Sequence, residues 1–224
     1  MNSFYVAYFD NPRIQRLIDI ISYICEPSVR HEAHLTVQGP FKSDIKKNKI
    51  CESTISVEIN GIGNFFSSNQ NTVFLKCESK ALKKIWKKTT YKDFNPHITI
   101  YDGESREFAE KLYSTLSNRK IFYSLKITEL QAMRSKKQLD LMLSMNVENE
   151  FMDAVLGRRY SYENMKSLHI SERVSLAEKV YGFLIETTNN IYNLKKYDEI
   201  SFSIRNFKFG LDKTIKSSHL IKNK

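Results

Sequence analysis

The sequence predicts an α+β domain of two similar lobes over residues 1–145, followed by a mainly helical accessory region with a late strand over 146–224. Three observations point there. Short β-patterned runs alternate with amphipathic helical stretches up to about residue 145. Each half of that span holds a strand–helix unit and one copy of a similar short motif, a weak internal repeat seen more in arrangement than in residues. Beyond residue 146 long helical periodicity takes over.

Residues 3–9 (SFYVAYF) are aromatic and β-branched and read as a strand. Pro12 suits the first turn of a helix in which Leu17, Ile18, Ile21 and Ile24 recur at helical spacing, and Pro27 closes it. Residues 33–38 (AHLTVQ) form a strand expected to stop at Gly39-Pro40. Strands follow at 53–59 and 72–77, with Gly61 and Gly63 in the turn region between them. Residues 79–88 suit a helix with Leu82, Ile85 and Trp86 inward, 96–101 (PHITIY) a strand, and 104–118 a helix with Phe108, Leu112 and Leu116 on one stripe. Two strands, 121–133 and 138–145, flank a charged turn. Residues 148–166 and 172–195 then read as helices and 199–209 as a strand, and the basic end from 212 is expected to fray.

The chain carries 35 basic and 25 acidic residues, a formal charge of +10, which favours a polyanion such as RNA or an oligonucleotide. Lysine-rich compositions also arise without such a partner, so charge alone selects nothing. No run approaches the roughly eighteen apolar residues of a membrane span. The opening MNSFYVAYFDN lacks a basic leader ahead of an apolar stretch, so no signal peptide and a cytoplasmic location are expected. Cys25, Cys51 and Cys77 are widely spaced and odd in number, which suits reduced thiols better than a metal knuckle.

Two triplets carry the chemistry: His34-Leu35-Thr36 and His97-Ile98-Thr99. In a strand, residues i and i+2 face the same way, so each triplet sets an imidazole beside a hydroxyl with an aliphatic side chain behind. Two such strands facing one groove would suit in-line displacement at a phosphodiester. One histidine acts as base on the attacking side and the other as acid on the leaving side. The threonine hydroxyls would hold the non-bridging oxygens. Two histidines and two threonines are poor ligands for Mg²⁺, so no metal or cofactor is expected. A lone His-x-Thr arises readily by chance, and a single strand histidine is more often structural. The duplication in similar contexts is what singles these out.

HLTVQGPF at 34–41 and NPHITI at 95–100 resemble the paired motifs of the 2H phosphoesterase superfamily. That superfamily includes bacterial RNA 2′,3′-cyclic phosphodiesterases once called 2′-5′ RNA ligases. The resemblance covers about residues 1–145. It implies a bilobal, pseudo-symmetric fold with two antiparallel sheets flanking a central groove and helices outside. It also implies His34 and His97 as the catalytic pair, with Thr36 and Thr99 binding phosphate, and leaves open which histidine is base and which is acid.

The implied activity is metal-independent opening of a 2′,3′-cyclic phosphate on RNA or a nucleotide. Cleavage of cyclic or 2′-5′-linked oligonucleotides in antiviral signalling is one alternative, and a non-catalytic RNA-binding module is another. Tyr5 and Tyr8 on the first strand are candidates to line the groove and stack a base, against the plainer role of core aromatics. Arg134, in the turn with Lys136 and Lys137, is a candidate phosphate contact, against a solvated hairpin tip. The accessory region is read as capping the groove, mediating dimerisation or capturing a partner, and the sequence leaves the oligomeric state open.

Overall fold

Burial alternates along residues 34–37, 55–59 and 97–100, which turns successive side chains there to opposite faces of the sheet. The computed structural model describes residues 2–28, 31–43, 45–88, 93–134, 162–194, 201–202 and 215–216. Six strands form one antiparallel row in the order β1 (Ser3–Ala7), β7 (Tyr123–Arg134), β3 (Lys49–Ser67), β4 (Gln70–Glu78), β6 (His97–Asp102) and β2 (Leu35–Phe41). Because β1 also pairs with β2, the row closes on itself. A two-residue strand, β5 (Lys87–Lys88), adds to β2 in parallel. The structure is thus α+β, and the two sheets expected from the resemblance are the two arms of one continuous sheet.

The 19-residue β3 explains the continuity. Its first half pairs with β7, from Lys49–Leu130 to Ile59–Tyr123, and its second half with β4, from Glu58–Glu78 to Ser67–Gln70. Gly61 and Gly63 therefore lie inside a strand rather than in a turn. At Gly61 the backbone adopts φ +132°, and the pairing with β4 slips between Ile59 and Ile62. Glycine reaches that conformation without a Cβ penalty, so the extra residue bends the strand instead of ending it. Similarly, β2 runs through Gly39-Pro40, since Gly39 pairs with Lys88 on one edge and Phe41 with Ser3 on the other.

Helix α1 (Pro12–Cys25) starts at Asn11, whose side-chain oxygen accepts from the Arg13 and Ile14 amides, with Pro12 in the first turn. The stripe Leu17, Ile18, Ile21 and Ile24 is buried as its spacing requires. Ile20, Ser22 and Tyr23, outside that stripe, are buried too. A helix enclosed on so much of its circumference needs a second neighbour. That neighbour is α5 (Ile170–Leu194), which packs on both α1 and α3 (Arg106–Ser117). Val180, Tyr181 and Leu184 of α5 are fully buried in the same core as Leu17, Phe108 and Leu112. Arg173 donates to the Ile24 and Cys25 carbonyls, and its guanidinium lies 4.6 Å over the Phe108 ring.

Two helices are shorter than their patterns suggest. Helix α2 (Lys80–Ile85) stops at Trp86, where the chain becomes extended and enters β5. Helix α4 (Tyr162–Ser167) covers only the end of the expected 148–166 helix, whose earlier part lies outside the described residues. The expected strand 138–145 also lies outside them. Of 199–209 and the tail, the structure describes Ser201–Phe202 paired with Ile215–Lys216. Among the described residues no helix is long and apolar enough to cross a membrane. The helices α1 and α3 cover one face of the sheet, where the core sits. The other face, bounded by the two arms, is a groove.

Candidate active site

Strands β2 and β6 meet at a single pair, Leu35 opposite Ile98, and both side chains are fully buried on the helix side. The alternation of a strand then turns residues 34, 36, 97 and 99 to the groove. Carried one step either side of Leu35–Ile98, the antiparallel register would set Thr36 beside His97 and His34, the residue just before β2, beside Thr99. Each histidine would then stand beside the threonine of the other motif, across strands about 4.8 Å apart. All four side chains are half-buried.

The register extends this into two rows across the groove floor. One row runs Val6, Thr36, His97, Lys76, because Val6 pairs with Thr36 and Lys76 with His97. The second runs His34, Thr99, Phe74, Gly63, because Phe74 pairs with both Thr99 and Gly63. The Tyr8 ring meets the open end of that row, 6.1 Å from the His34 ring and edge-on to it.

Both imidazoles are anchored alike. Nδ1 of His34 donates to the Glu32 carbonyl at 2.7 Å, and Nδ1 of His97 donates to the Asn95 carbonyl at 2.8 Å. A carbonyl oxygen can only accept, so the proton of each neutral ring is fixed on Nδ1. Nε2 then carries the lone pair in the neutral ring and the mobile proton in the charged one. In each motif the anchor is the residue two positions before the histidine, so the local repeat reproduces the tautomer as well as the side chains.

The surroundings of the two rings differ. On the His34 side, α1 grips the preceding residue: Asp19 accepts from the Ala33 amide at 2.6 Å, and Gln15 Nε2 donates to the Ala33 carbonyl at 2.8 Å. Gln15 is held in turn by the Phe9 amide. Burial, and then the negative charges of Glu32 and Asp19, push the Tyr8 phenol up to about 12, so it remains a neutral hydroxyl near pH 7. On the His97 side the ring is walled by Phe65 at 4.9 Å and Phe74 at 5.0 Å, which contact each other at 4.3 Å. Gly63 makes room for this wall. A Cβ there would stand 2.4 Å from the Phe74 ring.

His34, Thr36, His97 and Thr99 are therefore brought together, with Tyr8 beside them. Tyr5 is placed elsewhere: its ring lies edge-on to Phe41 against the core, and its hydroxyl donates to the Lys47 carbonyl. Arg134 ends β7 opposite Ser3, while Lys136 and Lys137 lie outside the described residues. Sequence reasoning missed Gln15, Asp19, Phe65, Phe74 and Lys76 as neighbours of the site. Gln15 and Asp19 carried a signal, as polar residues one turn apart in a largely apolar helix. The other three depend on cross-strand register. Among the described residues no three His, Cys, Asp or Glu side chains gather as a metal site.

A closed antiparallel sheet carrying two His-x-Thr strands side by side defines a two-histidine phosphoesterase architecture. Comparison with known proteins agrees: a family model described as the 2′-5′ RNA ligase superfamily matches residues 10–139, more than half of the chain and both motifs. The chain belongs to this superfamily, which is the 2H phosphoesterase superfamily. No curated protein matches the chain.

Proposed function

We propose that this protein is a metal-independent phosphoesterase that opens the 2′,3′-cyclic phosphate of an RNA end or nucleotide. The single observation that carries the reading is the Leu35–Ile98 pairing, which sets the two carbonyl-anchored histidines and the two threonines on either side of one strand interface. Family membership supports nucleic-acid or oligonucleotide substrates.

The chemistry follows from the anchors. With Nδ1–H held by a carbonyl, Nε2 of one neutral histidine takes a proton from water as its oxygen bonds to phosphorus. The P–O bond to one ribose oxygen breaks, and that oxygen receives the Nε2 proton of the other, charged histidine. The product is a ribose 2′- or 3′-phosphate with a free neighbouring hydroxyl, and the two histidines have exchanged protonation states. Thr36 and Thr99 donate to the non-bridging oxygens, where charge accumulates in the transition state. Residues 1–145 form the catalytic unit in this reading. The region from 146 is accessory to the chemistry, and α5 braces the helices behind the groove floor.

A short RNA ending in a 2′,3′-cyclic phosphate, incubated with EDTA, is expected to be converted to a single monoester end. An RNA end left intact by folded protein, alongside cleavage of a 2′-5′-linked oligoadenylate, would move the activity to that linkage. Tight binding without product from either would support a binding module instead.

A further inference from the structure

The two walls of the groove differ in charge and in aromatic content, and the difference has a direction. On the His34 side stands one ring, Tyr8, with the Asp19 and Glu32 carboxylates near it and Asp19 already accepting from the Ala33 amide and Gln15. Phe65 and Phe74, the two rings that wall His97, also line a cavity of about 610 Å³ that reaches Tyr113 of α3. Its lining includes the Phe65, Phe74 and Phe94 rings together with Lys76, Lys80 and Lys83. The three lysines are exposed, so their ammonium groups are hydrated and accessible. The lining carboxylate, Glu78, already accepts from the Asn60 amide at 2.7 Å. Phe94 lies 5.1 Å from Trp86, edge-on, which braces the rim ring.

We infer that this cavity is a second nucleotide subsite, taking the base and phosphate of the residue that flanks the scissile phosphate on the His97 side. The inference rests on the phosphoesterase reading above. Aromatic faces accept any base by stacking, and lysines take a backbone phosphate without demanding sequence. Lys76 joins the two sites, since it stands opposite His97 in the register and also lines the cavity. The substrate class is accordingly an oligonucleotide end, not a cyclic mononucleotide.

The test compares kcat/KM for adenosine 2′,3′-cyclic phosphate with that for an adenylate trinucleotide ending in the same group. Wild type and the Lys80→Gln/Lys83→Gln double variant are measured at two salt concentrations. Wild type is expected to prefer the trinucleotide by tenfold or more, with the preference shrinking as salt rises. The double variant is expected to lose most of that preference through KM. Phe94→Ala is expected to lower the trinucleotide preference about tenfold, with little change in its salt dependence. Equal use of both substrates by wild type, or a preference untouched in the lysine variant, would overturn the subsite and leave the phosphoesterase reading standing. Failure to open either cyclic phosphate would overturn both.

Discussion

His34→Ala and His97→Ala are each expected to lower turnover of a 2′,3′-cyclic phosphate by about 10²–10⁴-fold, the range a positioned general acid or base supplies. The fold should survive. Each imidazole is half-buried, and its anchoring hydrogen bond contributes only about 1 kcal/mol to stability. Thermal melts close to wild type would show this. The two losses are expected not to add, because a base without its acid leaves the same stalled displacement as an acid without its base. The double variant should fall little below the weaker single one. Full activity in either single variant would remove that histidine from the mechanism.

Tyr181→Ala is expected to cost about 3–5 kcal/mol, as for other large aromatic truncations in a core. Tyr181 is fully buried on α5, and its hydroxyl donates to the Arg119 carbonyl at 3.1 Å, tying α5 to the end of α3. Urea unfolding monitored by the far-ultraviolet helix signal measures it. A single transition at lower denaturant is the expected form, since α5 shares one core with α1 and the sheet. A loss under about 1 kcal/mol, or a separate early transition for part of the helix signal, would mean that α5 folds apart from α1 and the sheet.

The sequence made the paired motif legible because each copy is local. His34 and Thr36 lie two residues apart, as do His97 and Thr99, and strand alternation alone turns each pair to one face. Which strand lies beside which was not local. The Leu35–Ile98 pairing joins residues 63 positions apart in the chain, and bulges in β2 and β6 break the simple counting from neighbouring strands. Phe74 and Lys76 were readable as strand residues but not as neighbours of Thr99 and His97. The glycines misled for a related reason. Gly61 and Gly63 look like turn residues, yet one relieves a bulge and the other admits the Phe74 ring. Helix α1 showed one apolar stripe, and only α5, far along the chain, explains its second buried face.

In the proposed reaction two histidines divide the labour at one phosphorus atom. A nucleoside phosphodiester with p-nitrophenolate as leaving group tests it most directly, because that leaving group departs without a proton. Rates for His34→Ala and His97→Ala on this substrate are compared with their rates on the cyclic phosphate. One variant is expected to recover most of its lost rate and the other none, identifying acid and base in a single experiment. Recovery in both, or in neither, would contradict it.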